Sequence, residues 1–251
     1  MFVAASTECF PDLELAAALE RLVDLEYSHV EIDLFENGGH LQPSQVHANL
    51  DHAVRLCRDT HRLTPVAYYI DIQAEGPAYY EQFASCCKLA KATKVVALTV
   101  RSGELGTPFN AEVERLRELV RIASLDSVVV GLKTEVGHMT QDPATAAVLC
   151  DNVKGLGITL DPSHYTFGPF AGADYDHLFR YVCHMQLRDT SKTKLQVRVG
   201  QGEIEYGRLI TQLARFKYNR ALCVNIIDDK SPDIDHAVEM RKLRLLLESL
   251  L

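Results

Sequence analysis

Short apolar runs alternate with longer amphipathic stretches along the whole chain. The apolar runs have the length of buried strands and cover residues 2–5, 29–34, 64–71, 94–101, 127–136, 156–161, 182–188 and 221–227. Between them, apolar residues recur at helical spacing in segments such as PDLELAAALERLVDLEY, PSQVHANLDHAVRLCRDTHR and ADYDHLFRYV. The pattern predicts eight strands that alternate with eight helices.

Strict alternation of this kind favours parallel strands joined by helical crossovers. Eight such units in 251 residues match the size of a (β/α)8 barrel. A doubly wound open sheet is the alternative, but it would want a glycine-rich turn after the first strand, and the segment STECFPDLE has none. No linker or low-complexity tract marks a boundary. We therefore predict an α/β protein with one domain, a TIM barrel over residues 1–251.

Composition and charge narrow the range of partners. A hydrophobic content of 47% with 24% charged residues is ordinary for a globular protein. The formal net charge is −8, and the scattered Lys and Arg argue against nucleic acid as a partner. We expect no membrane span and no signal peptide. The seven Cys lack zinc-site spacing, so we expect reduced, buried thiols in a cytoplasmic protein.

Residues capable of chemistry follow most of the predicted strands. The active site of a barrel lies at the C-terminal ends of its strands, so these residues should meet there. They are Glu31, Asp33, Asp71, Arg101, Lys133, Glu135, His138, Asp161, His164, His184, Gln186, Arg188, Asp189, Asn225, Asp228 and Asp229. Such clustering across distant strands predicts a site.

Several segments resemble those of a known superfamily. They are VVGLKTEVGHMTQDPATAAVLCDNV, ITLDPSHYTFG, YVCHMQLRDTSK, VGQGEIEY and ALCVNIID. In these segments the chain resembles the xylose isomerase-like barrel superfamily of sugar isomerases and epimerases. The resemblance spans nearly the whole chain and is sharpest over residues 129–227.

This resemblance implies a divalent metal site of four side chains. Carried over, the ligands become Glu135, Asp161, Gln186 and Asn225. The first two match the superfamily, Gln186 replaces a usual His, and Asn225 replaces a usual Glu. The ion would be Mg²⁺, Mn²⁺, Co²⁺ or Zn²⁺, held less tightly because an amide carbonyl brings no charge. Asn225 also cannot act as an acid or base, so the superfamily's usual pair of glutamates is incomplete.

The function that the resemblance implies is a sugar or hydroxy-keto acid isomerase or epimerase acting through an enolate-type intermediate. Glu135 would be a metal ligand and the base, and His164 would position the small carbohydrate substrate. Two alternatives are a lyase or dehydratase of the same superfamily and a degenerate member that binds a carbohydrate without turning it over. A homo-oligomer also stays open, because barrels often pair through their helices.

The remaining candidates surround this predicted centre. Lys133 lies two residues before Glu135 on the same strand face, so it would bring positive charge to the weakened metal site. The alternative is a lysine that extends along the barrel wall. Arg101 has the planar fork that binds carboxylate or phosphate, although a surface ion pair with Glu104 would also explain it. His138, Glu31 and Arg188 complete the predicted substrate-binding residues.

Overall fold

The computed structural model describes residues 1–228 and 235–251. Within these ranges, eight parallel strands close into a barrel in chain order, each paired with its neighbours and the eighth with the first. The strands are β1 (Phe2–Ser6), β2 (His29–Phe35), β3 (Thr64–Asp71), β4 (Ala97–Val100), β5 (Val129–Lys133), β6 (Gly157–Leu160), β7 (Val182–Leu187) and β8 (Ala221–Val224). The predicted TIM barrel is confirmed. Asp229, one of the strand-end candidates, lies outside the described residues.

The described helices follow the predicted pattern with local departures. They are α1 (Leu15–Asp24), α2 (Pro43–Ala48), α3 (Leu50–Arg58), α4 (Gly76–Thr93), α5 (Phe109–Ser124), α6 (Pro143–Asn152), α7 (Ser163–Thr166), α8 (Tyr206–Arg215) and α9 (His236–Ser249). The helix predicted after β2 is split at Asn49, whose φ of −148° is not helical and whose side chain caps α3 at the His52 amide. The segment before β7 forms a 3-10 helix, Asp176–Tyr181, instead of an α-helix.

Strand alternation divides the buried side chains between two regions. One face of each strand packs against the helices, where Ile32, Tyr68 and Leu98 belong to one large apolar cluster. Inside the barrel, a small apolar cluster of Ala4, Ala221 and Cys223 lies near the N-terminal ends of the strands. The interior above it is largely polar. This arrangement leaves the C-terminal mouth of the barrel to charged and amide side chains.

The floor of the mouth is tightly packed between β4, β5 and β6. Thr99 and Thr159 share a hydrogen bond of 2.8 Å across the interior. A Cβ atom at Gly131 would overlap the Thr159 hydroxyl and lie 2.8 Å from Cys183 Sγ, so only glycine fits there. Lys133, two residues further along β5, emerges directly above this floor.

The seven Cys are free and buried, as the sequence predicted. Burial raises their pKa values; that of Cys57, for example, rises to about 11. These thiols are therefore protonated at neutral pH. Across the part of the chain that the structure describes, no helix is both long and apolar enough to cross a bilayer.

Candidate active site at the barrel mouth

The predicted site residues occupy five consecutive strands, β4 to β8, or the loops that follow them, together with β2. In chain order they are Glu31 in β2, Arg101 after β4, Lys133 at the end of β5, Glu135 and His138 in the next loop, Asp161 after β6, His164 in α7, Gln186 in β7, Arg188 after β7 and Asn225 after β8. The strand β5 is shorter than predicted and ends at Lys133, so Glu135 belongs to the loop. Hydrogen bonds and ion pairs join most of these residues into three groups.

The first group centres on Glu135. Arg101 donates from Nε to Glu135 Oε2 at 3.0 Å, and its Nη1 lies 3.5 Å from Asp71 Oδ2. The guanidinium also lies over the Tyr69 ring, 5.3 Å from the centroid. Arg101 therefore reaches inward to the Glu135 carboxylate, where the sequence left a surface pair with Glu104 open.

The second group centres on Asp161, which is fully buried. Its Oδ1 accepts hydrogen bonds from the Ser163 amide at 3.0 Å and from the Ser163 hydroxyl. Its Oδ2 accepts one from Arg188 at 3.1 Å and lies 3.6 Å from His164 Nε2. Asp161 is thus held by a buried guanidinium and by the first turn of α7. Asp161, predicted as a metal ligand, and Arg188, predicted to bind substrate, form one ion pair.

Lys133 contributes a buried positive charge between these groups. Its side chain is almost completely enclosed, and its ammonium lies 4.3 Å from the centroid of the Tyr69 ring. In residues 1–228 and 235–251, no carboxylate oxygen approaches the ammonium within 4.0 Å. Lys133 nevertheless acts on the surrounding carboxylates through its charge.

The two mouth carboxylates are kept ionised by these cations. Burial raises the pKa of Glu135, but the charges of Lys133 and Arg101 outweigh it and hold the pKa below its ordinary value. Burial likewise raises the pKa of Asp161, but the charge of Arg188, with a smaller contribution from Lys133, outweighs it and holds the pKa below its ordinary value. At neutral pH both groups are carboxylates. Glu135 is therefore able to accept a proton.

His164 is neutral at physiological pH. Burial is the main cause that lowers its pKa, to about 4, and Arg188 and Lys133 lower it as well, against the opposing charge of Asp161. The Val136 amide donates to Nδ1 at 3.2 Å, so the ring proton resides on Nε2. The imidazole thus presents an N–H towards Asp161 and the mouth.

This depressed pKa predicts a specific pH dependence of stability. Unfolded His164 takes up a proton near pH 6.5 and the folded residue only near 4, so the free energy of unfolding should fall as the pH is lowered through that window. The loss is about 3 kcal/mol when complete. We expect His164→Asn, whose Oδ1 replaces Nδ1 as acceptor, to flatten the decline between pH 6.5 and 4.5 in urea titrations.

The matched control for this prediction is His52→Asn, since His52 is exposed on α3. It should reproduce the wild-type profile. A His164→Asn protein that keeps the full wild-type decline over this window would contradict the assignment of the effect to His164.

The third group lies deeper in the barrel, around Glu31. Glu31 accepts hydrogen bonds from His184 Nε2 and Gln186 Nε2, both at 2.7 Å. Burial raises its pKa, but His184 and then Gln186 lower it below its ordinary value. Cys223 Sγ lies 3.8 Å from Glu31 Oε1. These contacts tie β2 to β7 and β8.

The Glu31 group also has the composition of a metal site. Among the described residues, Glu31, His184 and Cys223 are the set of His, Cys, Asp or Glu whose ligand atoms all lie within 4.8 Å of one another. Burial, together with the charge of Glu31, raises the pKa of the Cys223 thiol well above its ordinary value, so it is protonated. The Glu31 oxygens are engaged by His184 and Gln186. The set is thus joined by its own hydrogen bonds.

Glu8 and Ser163 also belong to the site, although the sequence did not predict them. Asn225 Nδ2 donates to Glu8 Oε2 at 2.8 Å, and Ser163 binds Asp161 as described above. Glu8 follows β1 directly, so the rule that places barrel sites at strand ends would have found it. Ser163 lies inside the DPSH segment, where the hydrogen bonds that it donates to Asp161 depend on the geometry of the turn.

Many polar atoms at the mouth have no partner. In the described ranges, eight buried side-chain nitrogen or oxygen atoms lack a hydrogen bond, and five of them belong to Tyr69, His138, Gln186, Arg188 and Asn225. Buried polar groups are normally paired, and an unpaired one costs about 1–3 kcal/mol. Their concentration here marks a place where a polar ligand or ordered water would find hydrogen-bond partners.

Of the four residues implied as metal ligands, two have free oxygen atoms and two are already paired with arginines. Gln186 Oε1 and Asn225 Oδ1 are unpaired and buried, which suits ligand oxygens. However, Glu135 is paired with Arg101 and Asp161 with Arg188, at 3.0 and 3.1 Å. A divalent ion would have to compete with both guanidinium groups for these carboxylates, in the presence of a third cation, Lys133. As they are placed here, the four residues do not fit a divalent ion.

Comparisons with known proteins give the family. The model of the xylose isomerase-like TIM barrel family matches residues 19–246, and the chain belongs to that family. A search of curated proteins returned no match. A D-tagatose 3-epimerase-like protein is similar in structure at 16% identity, with a TM-score of 0.75 and coverage of 100% of this chain and 98% of that one.

Two further solved structures extend the comparison. The IolI protein with a bound zinc atom is 15% identical, with a TM-score of 0.74 and coverage of 100% and 99%. The probable 3-DHS dehydratase AsbF from Bacillus anthracis is 16% identical, with a TM-score of 0.73 and coverage of 97% and 98%. At these identities the likenesses show the shared fold. The chemistry of this chain has to be argued from its own residues.

Proposed function

We propose that this protein transfers a proton at a carbon next to a carbonyl group in a small sugar or hydroxy-keto acid, as an isomerase or epimerase. The observation that carries the proposal is the set of five unpaired polar atoms among the residues at the barrel mouth, which also holds an ionised Glu135. A substrate with several hydroxyl groups supplies both donors and acceptors, which this mixed set of atoms needs. The epimerase-like neighbour supports the same class of substrate.

Each group has a defined task in this proposal. The Glu135 carboxylate removes the proton from the carbon next to the carbonyl. The negative charge that develops on the carbonyl oxygen is stabilised by the buried cations, Lys133 and Arg188. His164 and Tyr69 donate hydrogen bonds from Nε2 and from the phenol, while Gln186 Oε1 and Asn225 Oδ1 accept them from substrate hydroxyls.

The proposed reaction does not depend on a divalent ion. When bound in a site of this kind, such an ion polarises the substrate carbonyl and lowers the pKa of the adjacent C–H. In this chain Lys133 and Arg188 already bring positive charge to the same place. The Glu135 and Asp161 carboxylates, which such an ion would need as ligands, are paired with arginines. We therefore expect EDTA to leave turnover unchanged and added Mn²⁺ to leave the melting temperature unchanged.

The test is hydrogen exchange with solvent. The protein is incubated in D2O with a panel of ketoses, aldoses and 2-keto acids of three to six carbons, with and without EDTA, and deuterium at carbon is followed by NMR. Incorporation next to the carbonyl of at least one substrate is the expected result. If no compound of the panel exchanges while one of them binds by calorimetry, the protein is a carbohydrate-binding member without catalysis.

Dehydration is the second candidate function. It begins with the same proton removal by Glu135 but ends with loss of a hydroxyl group, which needs an acid. The protonated Glu135 that results from the first step is an acid that the site provides, and neutral His164 donates a hydrogen bond from Nε2 to the departing hydroxyl group. The product of water loss absorbs in the ultraviolet, so an absorbance increase in the same incubations would favour a dehydratase over an isomerase.

A further inference from the structure

A carboxylate lies next to Asn225 at the barrel mouth, although Asn225 itself carries only an amide. Its Nδ2 donates a hydrogen bond of 2.8 Å to Glu8 Oε2. Glu8 lies in the 3-10 helix Thr7–Cys9 that follows β1, and β1 pairs directly with β8 through Ala5 and Val224. A carboxylate from the neighbouring strand therefore lies where β8 itself supplies only an amide.

The position of Glu8 is fixed by the residues on either side of it. Thr7 is fully buried and its hydroxyl bonds to Asp33, while Cys9 is fully buried with its Sγ 3.6 Å from the Val224 carbonyl oxygen. Glu8 itself is only half-buried. Its carboxylate is thus held by its neighbours and by Asn225, and it remains accessible to a substrate at the mouth.

The charge of Glu8 acts on two other groups of the site. Its charge helps to raise the pKa of Arg188, the guanidinium that holds Asp161. The Tyr69 phenol, whose pKa is raised chiefly by burial, is influenced by the charges of both Glu135 and Glu8. Both carboxylates are therefore close enough to one buried hydroxyl to affect its ionisation.

Glu8 and Glu135 approach the mouth from opposite sides. Glu135 follows β5 and Glu8 follows β1, and in the closed order these strands are four positions apart in either direction. A substrate held across the mouth would have one carboxyl group on each side. Inversion at a carbon requires this arrangement, because the proton leaves from one face and returns to the other.

We propose that Glu8 is the second acid–base group of this site, in place of a carboxylate on β8. This proposal rests on the proton-transfer function argued above. Glu135 takes the proton from the carbon, and the electron pair of the C–H bond moves into the enediolate. A proton is then delivered from the Glu8 carboxyl group to the opposite face, which forms the new C–H bond and the epimer. Asn225 holds Glu8 in place, and exchange with water resets both carboxyl groups.

The test separates removal of the proton from its delivery. Glu8→Gln is incubated with an exchanging substrate in D2O, and deuterium incorporation into the starting epimer and formation of the second epimer are measured separately. We expect epimer formation to fall at least 100-fold, while exchange through Glu135 remains within about threefold of wild type. The double variant Glu8→Gln/Asn225→Glu, which moves the carboxylate to β8, should recover part of the epimer formation.

Three results decide the proposal. Glu14→Gln, on an exposed glutamate near the same loop, is the control and should match wild type. If Glu8→Gln forms the epimer at the wild-type rate, the role of Glu8 is wrong and the proton-transfer function stands. If wild type exchanges no hydrogen with any substrate, both proposals fail.

A conservative variant covers the case in which Glu8→Gln does not fold, as judged by circular dichroism. Glu8→Asp keeps the carboxyl group but withdraws it by one methylene. It should then slow epimer formation more than exchange, and equal slowing of both would overturn the proposal.

Discussion

Glu135→Gln is expected to lower the rate of hydrogen exchange at the substrate carbon by about 10³-fold. Glutamine has the size of the carboxylate and its Oε1 can still accept the hydrogen bond that Arg101 donates. It cannot accept a proton at neutral pH. The substitution therefore removes the base and leaves the pocket, so substrate binding measured by calorimetry should change by less than about tenfold.

Glu114→Gln is the matched control for this substitution. Glu114 is exposed on α5, where it forms a surface ion pair with Arg117 at 3.2 Å, and its replacement should alter neither rate nor binding. Loss of binding in Glu135→Gln, together with a lowered melting temperature, would show instead that the Arg101–Glu135 pair is structural. Exchange at the wild-type rate would exclude Glu135 as the base.

The pH dependence of the wild-type rate follows from the same group. Because the pKa of Glu135 is held below its ordinary value, the carboxylate persists throughout the neutral range. The rate should stay level down to the ordinary pKa of a glutamate and decline only below it. The acid limb of the profile therefore reports the local positive charge as well as the base.

The barrel was predictable because its signal is periodic and local. Each strand, such as β3 or β7, appears as an apolar run, and alternation along it fixes which residues face the barrel interior. Asp161, Gln186 and Lys133 could thus be placed at the mouth from the sequence. The split of the helix at Asn49 was not predicted, because the helical spacing of apolar residues continues across the break whereas the helical backbone conformation stops there.

Side-chain contacts between residues of different strands were the part of the site that the sequence did not reveal. Alternation shows that Asp161 and Arg188 face inward, but not that a guanidinium reaches a carboxylate 27 residues away. The contact between Asn225 and Glu8 joins residues that are 217 positions apart. Such contacts depend on barrel closure and on the rotamers of long side chains. The sequence therefore identified the polar side chains at the mouth. Which ion-pair and hydrogen-bond partners they have, and so what chemistry they can carry out, required the structure.

Lys133→Met is expected to separate catalysis from stability. The substitution replaces a buried ammonium with an apolar chain of similar length, and the enediolate loses one of its stabilising cations. We expect turnover to fall by about 10²–10³-fold, the usual effect of removing one preorganised electrostatic group. Without Lys133 the pKa of Glu135 rises, so the acid limb of the pH–rate profile should also move to higher pH.

Stability should change little in Lys133→Met, because no carboxylate loses its direct partner. Glu135 keeps Arg101, Asp161 keeps Arg188, and the ammonium itself has no carboxylate within 4.0 Å among the described residues. Its desolvation cost and its long-range attraction to these carboxylates oppose each other. We therefore expect the free energy of unfolding in urea to stay within about 1 kcal/mol of wild type.

Lys88→Met, at an exposed position on α4, is the control for loss of a lysine. It should leave both rate and stability unchanged. A Lys133→Met protein that is destabilised by several kcal/mol with an unshifted acid limb would mean that Lys133 supports the barrel wall. Preserved stability with a rate lowered about 10²–10³-fold on the plateau of the pH profile, where Glu135 is ionised in both proteins, would place the Lys133 charge in the chemistry.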